Sequence, residues 1–387
     1  MEIWFCFPQM NVVFCVVLGQ GCKKFVKKRN VLLLAILLLV GIIYYPNIKE
    51  RLQLLGGETA TKENTISSMT QLEERVLDTL EQGKEELNVY LDGIGVEELE
   101  TINANLDGYY GYVNSYYIAK WPKNGLYQTR LNIELSDNYY AYQYLRGNEV
   151  KEMPDRALQL AEKVEAVLKE IITPDMNDFE KEKAIHDYVI KQGEYGFLTG
   201  SKKEDSYNAK GILLEGKGVC SSYSESMQLL LSLAGVESKI ILGKADVEHS
   251  WNLVKLDGNW YHVDATWDDP VPDEEGRVLY NYFNVPDQLI GKTHTWNSKL
   301  YEKADSYEEN YYEKKGDLCS SYSHTKERII DGIKKKEKKL QLLLTGENAQ
   351  EYSYNFVLQY DSVKSVKWKN IGESPCLVLE MTLEYQS

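Results

Sequence analysis

The sequence predicts an α+β protein whose central domain, helices first and strands after, lies between two smaller α+β domains and follows an N-terminal transmembrane anchor. Three observations predict the domains. Apolar residues recur at helical spacing over 154–234, they alternate as in strands over 238–265, and a helix-then-strand pattern near residue 74 recurs 253 positions later. The boundaries that we predict are an apolar head with the anchor (1–45), a linker (46–66), a small α+β domain (67–150), the central domain (151–300) and a second small α+β domain (318–387).

The composition excludes several classes of protein. The net charge is −15 over 387 residues, so the chain offers no basic face to a nucleic acid. It has six cysteines without a CxxC pair, and its five histidines lack ligand spacing. We therefore predict no disulfide scaffold, no metal site and no cofactor.

The stretch 31–45 is apolar and carries no charge. As a helix it would span about 22 Å, and flanking residues with local thinning of the bilayer can close the gap to a hydrocarbon core of about 30 Å. Residues 23–29 supply basic side chains, which remain on the cytoplasmic side of a membrane. We therefore predict a cell-membrane protein whose body lies outside the cytoplasm.

Two alternatives concern this head. A cleaved signal peptide would also export the body, although no small-x-small cleavage site follows residue 45. The apolar stretch 4–19 is either a second span or sequence upstream of the true start. Two spans would flank the basic segment, so the body would lie outside in either case.

The central domain begins with helices. Periodic apolar residues predict one helix over 154–171, and Asn177 is placed to cap a second over 178–191. A third is predicted over 220–234, with Gly235 as its end. Three strands are then predicted, over 238–243, 250–256 and 260–265.

The two flanking segments resemble each other. Glu74-Arg75-Val76-Leu77-Asp78 recurs as Glu327-Arg328-Ile329-Ile330-Asp331, and in the same ungapped frame Leu87, Leu91 and Gly93 coincide with Leu340, Leu344 and Gly346. Both segments read as a helix followed by strands. We therefore predict that 318–387 is a repeat of 67–150.

Three short strings carry the candidate chemistry: GKGVCSSYSESM with Cys220, VEHSWNLV with His249, and NWYHVDATWDDP with Asp264. A cysteine attacks a carbonyl as the thiolate and therefore needs a lowered pKa and a nearby base. Cys220 opens a predicted helix, where unpaired N–H groups and the helix dipole favour the anion. We expect its pKa to lie well below the reference of about 8.5.

The second and third strings predict a β-hairpin. Asp257-Gly258 is a favoured two-residue turn, which pairs Leu256 with Asn259. Counting outward, His249 is a diagonal neighbour of Asp264 on one face of the sheet. Asp264 can then orient the imidazole through one ring nitrogen while the other serves the thiol.

These strings resemble the core of the transglutaminase-like superfamily, in its bacterial, membrane-anchored, extracytoplasmic branch. The Cys-to-His and His-to-Asp spacings of 29 and 15 also fit, and the resemblance covers about 155–290. It implies a papain-like α+β fold and thiol acyl chemistry through Cys220, His249 and Asp264. In that family a ring donor upstream of the cysteine often helps to hold the oxyanion, which makes Tyr207 a candidate.

Other polar and aromatic residues receive supporting roles. Trp251 is expected to wall the site, and Asp268 and Asp269 to brace the turn that follows Asp264. We interpret His186 and His262 as structural. His294 and His324 carry no functional signal in the sequence. Two cysteines either form a disulfide in the C-terminal domain or remain free, namely Cys319 and Cys376.

The sequence favours an extracytoplasmic thiol enzyme that transfers or hydrolyses acyl groups of protein or peptide amides. The sequence does not distinguish water from an amine as the acceptor of the acyl group. A non-catalytic binding or scaffolding module at the cell surface is the alternative, against which the intact Cys-His-Asp set argues. An arylamine acetyltransferase-like activity shares the residue order, but an outside location would deny it acetyl-CoA.

Overall fold

The computed structural model describes residues 2–7, 12–17, 60–82, 84–99, 101–102, 113–120, 125–269, 277–372 and 376–386. They form two compact units, one of residues up to 102 with 113–134 and the other from 135 onward. The predicted anchor, 31–45, lies outside the described residues. Within the described part of the chain, no helix is long and apolar enough to cross a membrane.

The N-terminal unit is a mixed sheet with an amphipathic helix. Its elements are β1 (Glu2–Phe7), β2 (Val12–Val17), β3 (Thr65–Ile66), α1 (Met69–Glu81), β4 (Glu86–Leu91), α2 (Val96–Leu99), β5 (Val113–Lys120) and β6 (Tyr127–Ile133). The strand order is β2-β1-β5-β6-β4-β3. Ser68 caps α1, which buries Leu72 and Val76.

Of the four described helices that begin the second unit, the last three confirm predicted helices and the first was not predicted. They are α3 (Asp137–Leu145), α4 (Asp155–Ile171), α5 (Asp178–Gln192) and α6 (Cys220–Ala234), with 3₁₀ and π turns at Gly200–Tyr207 and Gly211–Glu215 and a short parallel pair, β7 (Glu194–Tyr195) with β8 (Lys217–Gly218). Asn177 and Glu180 form a reciprocal capping box at the start of α5. Gly235, with φ of 81°, ends α6 as predicted.

A five-stranded sheet follows the helices. It comprises β9 (Ser238–Lys244), β10 (Glu248–Leu256), β11 (Asn259–Val263), β12 (Phe283–Val285) and, after the short helix α7 (Asp287–Ile290), β13 (Thr295–Trp296), in the order β12-β11-β10-β9-β13. The predicted hairpin is confirmed, because Leu256 pairs with Asn259 and Asn252 pairs with Val263. Asp257 and Gly258 both have positive φ, as this turn requires.

The strand bounds differ from the predicted ones by up to two residues, and one domain boundary also differs. β11 ends at Val263 rather than at residue 265, because the Asp264 carboxylate accepts hydrogen bonds from the backbone N–H groups of Thr266 and Trp267 and turns the chain. Residues 137–145 were predicted to belong to the small domain 67–150, but they form helix α3 of the second unit. Its Asn138 amide donates a 2.8 Å hydrogen bond to the buried carboxylate of Glu225 on α6.

The C-terminal part of the second unit is a small α+β layer. Its elements are α8 (Tyr311–Lys315), β14 (Leu318–Cys319), α9 (Tyr322–Lys334), β15 (Lys339–Leu344), β16 (Val363–Ile371) and β17 (Leu377–Tyr385), with 3₁₀ turns at Ala349–Glu351 and Asn355–Gln359. The strand order is β14-β15-β17-β16.

This layer has the topology of the N-terminal unit. The bounds of β3, α1 and β4, shifted by 253 positions, are those of β14, α9 and β15. The N-terminal order β3-β4-β6-β5 corresponds strand for strand to β14-β15-β17-β16, with a parallel first pair in each case. The shared offset and order support the proposal that the segments are repeats. The N-terminal copy begins at Thr65, inside the segment predicted as linker.

The C-terminal layer packs against the central core. Cys376 and Val378 belong to the same apolar cluster as the central helices, and Cys376 and Cys319 are both free thiols rather than a disulfide. The buried Asn281 joins the two parts, because its amide donates hydrogen bonds to the carbonyl oxygens of Ile371 at 3.1 Å and Cys376 at 2.9 Å.

We predict that Asn281→Ala lowers the free energy of unfolding of this unit by roughly 2 kcal/mol, because it removes the donor from two carbonyl groups, one of them buried. Urea denaturation followed by fluorescence measures the change. The exposed Asn370 provides the matched control, Asn370→Ala, which should change stability by less than about 0.5 kcal/mol. Equal stability of the two variants would contradict this role for Asn281.

Candidate active site

Cys220 lies at the first position of α6 and is partly exposed. Its loop is tied down by Ser222, whose hydroxyl donates to the carbonyl of Asn208 and accepts from the N–H of Ile212. Glycine is needed at position 218, because a Cβ there would lie 2.4 Å from the Cβ of Ser222. The loop contacts therefore hold Cys220 at a helix start, where the helix dipole favours an anion.

His249 lies on β10, which is joined to α6 by side-chain hydrogen bonds. The amide of Asn252 donates to the carbonyl of Ser224 at 3.0 Å, and the hydroxyls of Ser224 and Ser250 are 3.1 Å apart. These contacts hold the strand that carries His249 against the helix that begins with Cys220. The spacing between base and thiol is thus set by rigid elements.

The structure brings Cys220, His249 and Asp264 together. His249 Nε2 lies 2.7 Å from Asp264 Oδ2, as the diagonal position in the hairpin predicts. The imidazole is also close enough to Cys220 for its charge to lower the pKa of the thiol against the opposing effect of burial. Because Nε2 contacts the carboxylate, Nδ1 is the ring nitrogen left for the sulfur. Aligned in this way, the three groups can share charge and protons.

The three pKa values move in the directions that such an arrangement requires. Burial opposes ionisation of Cys220, but the His249 hydrogen bond and charge, together with Ser250, outweigh it, and the pKa of the thiol is lowered. Burial likewise disfavours the imidazolium, yet Asp264 and Cys220 raise the pKa of His249 to about 10. Despite complete burial, His249 and His294 hold the pKa of Asp264 below its usual range. All three shifts favour the charged forms, namely the thiolate, the imidazolium and the carboxylate.

His294 belongs to this site, although the sequence analysis assigned it no functional signal. Its Nε2 atom lies 3.0 Å from Asp264 Oδ2, the same oxygen that contacts His249. The residue is reached through a chain segment that follows the hairpin and α7, so neither periodicity nor short-range spacing indicates it. The proximity of His294 to Asp264 is therefore visible only in the tertiary structure.

The two residues predicted to line the site have different environments. Trp251 is buried, stacks on the His249 ring at 5.9 Å between centroids, and donates its indole N–H to His262. Tyr207 is 44% exposed and its ring contacts Phe197. Another ring, that of Tyr195, is close enough to Cys220 and Asp264 for their charges to raise the pKa of its phenol, after burial as the larger cause.

The residues predicted to be structural brace the site from behind. His262 bridges the Trp251 indole and the carboxylate of Asp287. Asp268 accepts a hydrogen bond from the N–H of Tyr282 and lies 3.2 Å from the ring of His186. Asp269 accepts the hydroxyl hydrogen of Tyr223. The turn after Asp264 is thereby anchored to α5 and α6.

One group of possible metal ligands occurs among the described residues. Atoms of His249, Asp264 and His294 all lie within 4.8 Å of one another, and imidazole with carboxylate suits zinc and related ions. Hydrogen bonds already account for this spacing, because both Nε2 atoms contact Asp264 Oδ2.

The chain is similar to several known proteins. Kyphoscoliosis peptidase of Homo sapiens is 26% identical over 199 residues, which are 44% of this chain and 30% of the human protein. The Mus musculus protein of the same name is 25% identical over 195 residues, 42% of this chain and 29% of its own length. The chain thus spans less than a third of these relatives.

Two solved structures also match. A protein from Cytophaga hutchinsonii, proposed to be a cysteine protease, is 17% identical, with 43% of this chain and 65% of that chain covered and a TM-score of 0.25. The periplasmic domain of TgpA from Pseudomonas aeruginosa is 15% identical, with coverages of 37% and 55% and a TM-score of 0.21.

The family comparison covers the segment in which the candidate site is built. Residues 165–265 match the model described as the transglutaminase-like superfamily. This match confirms the resemblance inferred from the three strings, over a shorter range than the predicted 155–290. It contains Cys220, His249 and Asp264. Residues 165–265 of this chain therefore form a transglutaminase-like superfamily domain.

Proposed function

We propose that this chain is a thiol-dependent enzyme that cleaves or transfers the acyl group of protein or peptide amides through Cys220, His249 and Asp264. The observation that carries the proposal is that the Asp264 carboxylate holds the imidazole of His249 at 2.7 Å while that imidazole lies near Cys220, the first residue of a helix. This arrangement supplies an activated nucleophile and a proton donor to one carbonyl carbon.

The reaction follows from these charges. The Cys220 thiolate attacks the amide carbonyl, a C–S bond forms, and the C–O electron pair moves onto oxygen. Collapse of this intermediate breaks the C–N bond while the His249 imidazolium gives its proton to the leaving amine, which leaves a thioester. His249, now neutral, takes a proton from water or an incoming amine, which attacks the thioester and releases the thiolate.

The oxyanion requires donors beside Cys220. Backbone N–H groups at the start of α6 are one source. Tyr207 is the ring donor that the family resemblance suggests, and Tyr195 is a second candidate because the charges of Cys220 and Asp264 act on its phenol. The phenol of Tyr195 lies near the Cys220 and Asp264 charges, and its raised pKa keeps it protonated as a donor.

Water is the acceptor that we favour over an amine. The relatives with the matched segment are named peptidases, and the partners that we propose are protein or peptide substrates at the cell surface. The non-catalytic alternative requires the ion pair to have no chemical use. It differs from the enzyme in one testable respect, the reactivity of Cys220.

The flanking domains and the location belong to the same proposal. A papain-like core between two repeated α+β domains would stand outside the membrane on the anchor at 31–45. The basic segment 23–29 supports this orientation.

We predict that residues 46–387 lie outside the cytoplasmic membrane, because the basic flank holds the N-terminal side in the cytoplasm. Protease added to intact cells should degrade the body, detected with an antibody to the C-terminal layer. A known surface protein and a known cytoplasmic protein are the controls. Survival of the body while the surface control is cut would reverse the assignment.

We predict that iodoacetamide alkylates Cys220 rapidly at about pH 6 and that His249→Ala shifts the reaction toward the pH of an ordinary thiol. The sign follows from the pKa values: the thiolate is present above the lowered pKa of Cys220, and imidazolium persists until about pH 10. Mass spectrometry of the alkylated peptide over a pH series gives the rates.

The buried thiols Cys319 and Cys376 are internal controls, because burial raises both pKa values. If Cys220 were as unreactive as an ordinary thiol in both the wild type and His249→Ala, the enzymatic proposal would fail in favour of a scaffold. If Cys220 is reactive, incorporation of a fluorescent amine into casein would separate acyl transfer from hydrolysis.

A further inference from the structure

We propose that His294 is a positioning residue that holds the Asp264 carboxylate in the orientation in which it aligns His249 with Cys220. The inference rests on the proposed thiol chemistry and adds a fourth side chain to it. His294 itself touches neither the thiol nor, on this proposal, the substrate; it acts through Asp264.

The first step of the argument is the set of donors around Asp264. Oδ1 accepts hydrogen bonds from the backbone N–H groups of Thr266 at 3.0 Å and Trp267 at 3.1 Å. Oδ2 accepts one from His249 at 2.7 Å and one from His294 at 3.0 Å. Each oxygen thus has two donors, which fix both the position and the plane of the carboxylate. Without His294, Oδ2 would keep only the donor that must also serve catalysis.

The second step is that His294 is itself held rigidly. Its backbone N–H donates to the carbonyl of Ile290 at 2.9 Å, and its Nδ1 lies 2.8 Å from the hydroxyl of Thr293. The same hydroxyl also lies 3.2 Å from the carbonyl oxygen of Ile290. When it donates to the closer Nδ1, the ring proton resides on Nε2, which is the tautomer that Asp264 needs.

Aromatic rings enclose the imidazole on several sides. The centroid of His294 lies 4.7 Å from that of Trp267, 5.0 Å from that of Trp251 and 5.4 Å from that of Tyr282. The residue is buried. A ring in such a box cannot rotate away, so its hydrogen bond to Asp264 is permanent rather than one of several alternatives.

The third step separates positioning from packing. A histidine that only filled space would affect Cys220 through the stability of the fold, whether or not residue 264 is acidic. A positioning histidine must lose its effect when the Asp264 carboxylate is removed. The double-mutant cycle between the two positions therefore tests the proposal.

The experiment measures the rate of Cys220 alkylation by iodoacetamide at about pH 6 in the full chain, with thermal melting of each variant as a folding check. His294→Leu, which removes the donor, should slow alkylation by about 10-fold or more, since a hydrogen bond to a charged group is lost. His294→Gln can present an amide N–H where Nε2 lies, and we expect it to recover most of the rate. In an Asp264→Ala background, His294→Leu should change the rate by less than about 2-fold.

The exposed His324 on α9 provides the matched control, and His324→Leu should leave alkylation unchanged. The proposal is overturned if His294→Leu reacts like the wild type, if glutamine is no better than leucine, or if the loss is the same in both backgrounds. If Asp264→Ala does not fold, the comparison of Gln with Leu at position 294 decides. Failure of the proposed function looks different, because wild-type Cys220 would then be unreactive at this pH whatever residue 294 is.

Discussion

A buried, ionised carboxylate is the feature on which the rest of the candidate site depends. Asp264 has no exposure to solvent, yet it remains charged because two backbone N–H groups and two imidazoles donate to it. Its charge makes His249 a strong base, and the charged His249 in turn lowers the pKa of Cys220. The effect of His249 on the thiol can thus be traced to the donors around one carboxylate.

Other buried carboxylates in the same core show why those donors matter. Glu182 is fully buried and receives one amide hydrogen bond, from Asn284, and burial raises its pKa to about 8. Glu225 receives donors from Asn138 and the Ala209 backbone, and burial likewise raises its pKa well above the ordinary value. Asp264 differs in its cationic partner and in having two donors on each oxygen. Burial therefore favours the protonated form of Glu182 and Glu225, whereas the donors around Asp264 favour its negative charge.

The sequence predicted much of this arrangement because the decisive contacts are local or set by a turn. The dipeptide Asp257-Gly258 determines the hairpin register, and the register carries His249 to within 2.7 Å of Asp264. Cys220 is recognisable as a helix start from the apolar periodicity that follows it. The sequence resemblance at an offset of 253 suggested a repeat, and the bounds of α1 and α9 share that offset.

The remaining contacts depend on tertiary structure and leave no local pattern. His294 reaches Asp264 from a segment beyond α7, and Tyr195 approaches Cys220 through a two-residue parallel pair. Helix α3 has no clear apolar periodicity, and the contact of Asn138 with Glu225 places it against the central helices.

The central claim is that His249 is charged. The measurement is ¹⁵N NMR of histidine-labelled protein at about pH 8, with His249→Gln used to assign the signal. We expect both ring nitrogens of His249 to be protonated at that pH, where an ordinary imidazole is neutral; a neutral ring would contradict the account.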